Sequence, residues 1–98
     1  MAGDAVVVAP HFYTTVLEND HVRVLESRGK PGDKTTMHSH PAMVYIGLTE
    51  GSFRFSAPDG QSMEVNLKAG EPLFLDPVDH ATEVMGSAEV HGYLVELK

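Results

Sequence analysis

The residues best suited to chemistry sit in Gly32-Asp33-Lys34-Thr35-Thr36-Met37-His38-Ser39-His40-Pro41, where two histidines are separated by a single residue late in a β-like run. Successive side chains of a strand point to opposite faces, so His38 and His40 share one. Two imidazoles side by side can act as two ligands of one metal ion. A third histidine, His80, lies far downstream beside the Asp76-Pro77-Val78-Asp79 turn, where a returning chain could deliver it to the same point. Neutral imidazole suits iron, nickel, copper and zinc. The chain has no cysteine, so any metal must be held by nitrogen and oxygen donors, and no disulfide framework exists.

Other titratable groups carry weaker signals. His11, His21 and His91 have no motif around them and are expected on the surface or rim, although His91 alternates with Tyr93 and Val95 and could turn inward with them. Glu83, three residues after His80, falls on the opposite strand face and is expected in solvent, as is Glu50 in a turn. Arg23, Arg28 and Arg54 are the only arginines. An inward one could clamp a carboxylate, but solvent exposure is expected of each. Met37 and Met43 flank the histidines as pliable lining. Met43, Phe53, Phe55 and Tyr93 are the expected pocket wall.

The elements that must position these groups are short strands. Residues 6–8, 12–17, 21–26, 35–40, 43–48, 52–57, 61–67, 72–75, 80–85 and 90–97 combine β-branched and aromatic residues with alternation. Asn19-Asp20, Lys30-Pro31-Gly32-Asp33, Pro58-Asp59-Gly60 and Gly86-Ser87 separate them as turns. No long window keeps a helical period, so helix is limited to one turn. Regular short strands with Gly/Pro turns imply an all-β sandwich or barrel. The 98 residues suit one domain, with residues 1–4 expected to fray and no internal linker or repeat.

The formal charge of −7, with no basic run, argues against nucleic acid and anionic membrane surfaces as partners. The apolar run Ala5-Val6-Val7-Val8-Ala9 is too short to span a membrane and lacks a basic leader, so a cytoplasmic protein is expected.

The histidine pattern resembles the cupin superfamily. Its first motif is a glycine, five residues, His-x-His, three or four residues, a glutamate, six residues and a glycine; Gly32, His38, His40 and Gly51 stand at those spacings. The glutamate position is Val44, or Tyr45 with the longer spacing, so the carboxylate ligand is missing. Of the second motif, Gly70 and His80 fit, Pro77 sits late, one glycine is absent, the segment is one residue short, and Val84 stands where an asparagine would. The resemblance implies a single-domain cupin-type β-barrel (a double-stranded β-helix or jelly roll) over residues 1–98. It further implies one divalent transition metal on His38, His40 and His80, with Fe2+ favoured and Zn2+, Ni2+ or Mn2+ as alternatives.

Three-histidine cupin sites are similar to those of thiol- and diketone-oxidising dioxygenases, which implies an enzyme acting on a small anionic or chelating metabolite. Tyr45, beside the vacated glutamate position, is the candidate acid, base or anchor. A non-oxidative lyase, isomerase or decarboxylase, and a non-catalytic binding barrel with a structural metal, are the alternatives. Small cupins are commonly dimers, which makes residues 5–9 a candidate swapped or interface strand in a homodimer.

Overall fold

The computed structural model describes residues 2–98. One helical turn and nine strands follow in chain order: α1 (Ala5–Val8), β1 (Tyr13–Glu18), β2 (Val22–Gly29), β3 (His38–His40), β4 (Met43–Gly47), β5 (Gly51–Ser56), β6 (Ser62–Leu67), β7 (Pro72–Leu75), β8 (Val78–Met85) and β9 (Val90–Leu97). They form two antiparallel sheets, β1-β2-β9-β4-β7 and β3-β8-β5-β6. The protein is therefore all-β, with the double-sheet organisation expected of a jelly roll.

Alternation decides which side chains enter the space between the sheets. In β9, Val90, Gly92, Leu94 and Glu96 are buried while His91, Tyr93 and Val95 are only partly so. In β8 the buried set is His80, Thr82 and Val84. Leu25, Met43, Tyr45, Phe53, Val84 and Leu94 form much of the apolar centre. The β5–β6 hairpin turns at Gly60, whose φ of 89° would strain a side-chain-bearing residue. Asp59 Oδ1 accepts the Gln61 N–H there at 2.9 Å. Asn19 closes the β1–β2 hairpin by accepting the N–H groups of His21 and Val22 at 2.8 and 3.0 Å.

The N-terminus corrects three expectations. Residues 6–8 are not a strand; they lie in the helical turn α1, where Asp4 Oδ1 accepts the Val6 N–H at 3.2 Å. Three consecutive valines favour a strand, but a cap and the burial of Ala5 and Ala9 outweigh propensity over a single turn. Nor do residues 2–4 fray: the Ala2 N–H donates to Ser39 Oγ at 2.9 Å, and the Ser39 N–H donates to the Gly3 carbonyl at 2.6 Å. Met1 lies outside the described residues. Residues 5–9, expected as a swapped or interface strand, hold this helical turn instead of a strand, and α1 packs on its own barrel. Three boundaries also move by two or three residues: β2 runs on to Gly29, β3 is only His38–His40, and β8 begins at Val78 rather than at His80.

Close packing leaves Gly92, beside Tyr45, no room for a methyl group. A Cβ on Gly92 would lie 2.6 Å from the Tyr45 hydroxyl oxygen and 2.7 Å from its ring. Gly92→Ala should lower stability by about 1–3 kcal/mol, measured by urea denaturation; wild-type stability would show that Tyr45 moves aside freely.

Candidate metal centre

Pairing between β3 and β8 assembles the histidines. His38 and His80 are directly opposed Cα partners, and His40 lies opposite Val78 two residues along. All three are buried. Their rings meet edge to face, with centroids 4.8 Å apart for His38–His40, 4.9 Å for His38–His80 and 5.2 Å for His40–His80. One ring nitrogen from each lies within 4.8 Å of the others.

The hydrogen bonds define which nitrogens are free. His38 Nδ1 stands 2.9 Å from the Thr36 carbonyl, which can only accept, so Nδ1 carries the proton. His40 Nδ1 donates in the same way to Glu96 Oε2 at 2.7 Å. The Nε2 atoms of His38, His40 and His80 are buried without any hydrogen-bond partner among the described residues. Buried polar atoms are almost always satisfied, and three such lone pairs converging on one point form a fitting donor set for a divalent cation. The group fits the fold-family expectation on that ground.

Several neighbours escaped the sequence reading. Glu96 is 1% exposed and accepts from Arg23 Nε at 2.7 Å as well as from His40. Arg23 in turn donates to both oxygens of Asp4 at 2.8 Å. The expectation of solvent exposure thus fails for Arg23, which two carboxylates hold. Alternation in β9 did not mark Glu96, because residues 91, 93 and 95 read as inward as readily as 90, 92, 94 and 96; the structure buries the even-numbered set, and a charge there needs partners. Tyr13 also escaped notice. Its ring lies edge-on to His38 and His40 at 5.2 and 5.4 Å, and its hydroxyl is 3.5 Å from Thr82 Oγ1. Burial raises its phenol above the ordinary range.

The remaining candidates divide by strand face. Met43, Tyr45, Phe53 and Phe55 line, together with Tyr13 and His80, an internal cavity of about 30 Å³. Tyr45 sits 5.7 Å from Phe53, ring to ring, and burial pushes its phenol up to about 12. Phe55 stacks on the His80 ring at 4.9 Å. Val44, by contrast, lies on the outer face of β4. Tyr93, expected at the pocket, is on the outer face of β9 beside His91, because the inward parity of that strand belongs to the even-numbered residues. His91 contacts Glu26 at 2.8 Å, drawing that carboxyl below its usual range. His11 and His21 are exposed, as is Glu50, and Glu83 faces away from His80 toward Arg54 and Lys34.

Burial holds the metal-free imidazoles of His38 and His80 neutral, bringing His38 down to about 4 and His80 to about 3. An unfolded histidine titrates near 6.5, so the unfolded chain takes up protons first as pH falls. Their contribution to stability is complete above about 6.5 and declines below it, down to about 4 for His38 and about 3 for His80, by roughly 1 kcal/mol per pH unit for each of the two. Thermal melts of metal-free protein across that range should show the decline; a flat profile would mean that the imidazoles protonate freely in the fold.

No family model and no curated protein sequence matches the chain. Solved structures do. A cupin domain from Bordetella pertussis is 28% identical, covers 89% of this chain and 92% of its own, and superposes with a TM-score of 0.78. An RmlC-like cupin family protein with a double-stranded β-helix fold from Methanocaldococcus jannaschii, 15% identical, covers 87% and 77% with a TM-score of 0.67. A cupin-2 domain containing protein from Shewanella frigidimarina, 18% identical, covers 88% and 79% at 0.59. Together with the two antiparallel sheets and the convergence of His38, His40 and His80 between them, these likenesses make the chain a small domain of the cupin superfamily.

Proposed function

We propose that the protein is a metal-dependent cupin whose mononuclear centre is held by the Nε2 atoms of His38, His40 and His80 and acts on a small chelating molecule. The observation that carries this reading is the trio of buried, unpartnered nitrogens. A divalent ion on three protein nitrogens would supply Lewis acidity with open coordination positions and, as iron(II), redox chemistry with dioxygen. Fe2+ is the favoured metal, and Zn2+, Ni2+ and Mn2+ are the alternatives. The chain's own part is to keep the imidazoles neutral and aimed, and to keep water out through Phe53, Phe55 and Leu75. Tyr13 and Tyr45, both protonated at neutral pH, offer hydroxyls to an oxygen-bearing ligand.

The reading narrows the ligand's charge. Besides the internal cavity, a cleft of about 230 Å³ reaches His80 past Phe55, Gln61, Leu75 and Asp79. Among the described residues no lysine or arginine lines either space. Arg23, which lines a groove beside His40, is committed to Asp4 and Glu96. With a formal chain charge of −7 as well, an anionic substrate finds no clamp and a repulsive field. A compact, neutral molecule that acquires charge only at its coordinating atoms fits better. Among the described residues, Tyr13 and Tyr45 are the acid–base side chains around the cavity besides the proposed ligand His80, which favours, as a second reading, a non-oxidative or purely ligand-binding cupin.

The homodimer belongs to this proposal too, now through the sheet surface. Val16 and Leu17 on the edge strand β1, and Phe74 on the opposite edge strand β7, are exposed. Light scattering at concentrations on the order of micromolar should return twice the chain mass; the mass of a single chain would remove this part.

Elemental analysis of protein purified without added metal or nickel resin should find close to one transition metal per chain, and none in a His38→Ala/His40→Ala variant. Iron with oxygen uptake would support oxygenase chemistry, whereas zinc, nickel or manganese without oxygen consumption would support the non-oxidative reading. Wild-type protein that neither retains nor takes up metal would remove the centre.

A further inference from the structure

We infer that Glu96 is the positioning residue of the metal centre: an outer carboxylate that aims His40 at the ion and that Arg23 holds outside the coordination sphere. The inference rests on the metal reading above and extends it to a residue beyond the three ligands.

Glu96 stands near the end of β9 on its inward face, as the Cα partner of Met43 in β4. Its two oxygens are separately engaged. Oε2 accepts a hydrogen bond from His40 Nδ1 at 2.7 Å, and Oε1 accepts from Arg23 Nε at 2.7 Å and pairs with its Nη2, 2.6 Å away. Arg23 is itself fixed from the far side by both oxygens of Asp4. A chain of alternating charge, Asp4–Arg23–Glu96, therefore ends on a ligand imidazole. Turning Glu96 toward the centre would break a buried ion pair and strip His40 of its acceptor.

The arrangement answers the vacancy in the first motif. Of the two residues at the glutamate position, Val44 faces outward and Tyr45 is a phenol against Gly92. The negative charge arrives instead from the neighbouring strand, one imidazole removed from the ion. An anionic acceptor on Nδ1 fixes the tautomer that bares Nε2 and makes that nitrogen the stronger donor. His38 Nδ1 has neutral neighbours in this role, the Thr36 carbonyl and the Thr35 hydroxyl, so His40 is the ligand that Glu96 distinguishes.

The test uses the full chain, with zinc for affinity and cobalt(II) for its visible spectrum. Glu96→Gln keeps an acceptor for His40 but removes the charge. It should weaken zinc by about 10–100-fold at unchanged stoichiometry and shift the cobalt bands, with Glu96→Asp partly restoring both. Zinc affinity within about twofold of wild type, alongside a lowered melting temperature of the metal-free protein, would overturn the inference and leave Glu96 as a partner of Arg23 in the fold alone. Because Glu96→Gln leaves Arg23 short of a charge and could unfold, ring 15N shifts of metal-free wild-type protein form an independent arm. His40 protonated on Nδ1, with a strongly downfield proton, is expected; a proton on Nε2 overturns the inference. Wild-type protein that fails to bind zinc, or binding that survives in His38→Ala/His40→Ala, overturns the metal centre and the inference with it, and is recognised by not being confined to the Glu96 variant.

Discussion

Three imidazole Nε2 atoms are buried close together with no hydrogen-bond partner among the described residues, and most other features of the site follow from holding that arrangement in place. Without a ligand it is unfavourable, since each Nε2 loses hydration and gains no hydrogen bond. Burial answers part of the problem by keeping His38 and His80 uncharged, so that lone-pair convergence does not become repulsion between cations. Directional hydrogen bonds answer the rest. Thr36 and Glu96 take the Nδ1 protons of His38 and His40, and Tyr13 and Phe55 pack against the rings so that they cannot turn away.

The same constraint explains why the N-terminal segment is ordered. A carboxylate placed at Glu96 for the sake of His40 is itself a buried charge, and it requires Arg23. A largely buried guanidinium with spare donors then recruits Asp4. Asp4 also caps α1, and Ala2 and Gly3 bond to Ser39 between the two histidines of β3. Ser39 Oγ in turn donates to Asp79, beside His80. Two polar chains thus run from the N-terminal segment to the histidine strands, one through Arg23 and Glu96 and one through Ser39. This segment is part of the support for the site.

Around that support the barrel is apolar and cation-poor. Phe53, Phe55 and Leu75 close the interior beside His80, and the wider cleft outside them carries Asp79 as its charged side chain. Among the described residues no lysine or arginine supplies positive potential to either space. On the proposed reading, ligand selection would rest on shape and on the coordinating atoms, with little contribution from side-chain charge.

The local pattern of residues determined much of this on its own. Strand after strand was legible because alternation and turn residues act over a few positions, and the pairing of His38 with His40 followed from the two-residue period of a strand. His80 was legible as a candidate only through its resemblance to a motif; its position opposite His38 is a matter of β3–β8 register, which connects residues far apart in the chain. What tertiary structure alone decided are the outcomes of long-range competition. The valine run 6–8 became a helical turn because Ala5 and Ala9 pack on the barrel. Tyr93 lies outside while Glu96 lies inside, since β9 is read by the sheet beneath it. Arg23 was indistinguishable from Arg28 and Arg54 until Asp4 and Glu96, at opposite ends of the chain, closed on it. Charges buried in pairs leave no periodic trace in a sequence, because each partner's position is set by the fold and not by its neighbours in the chain.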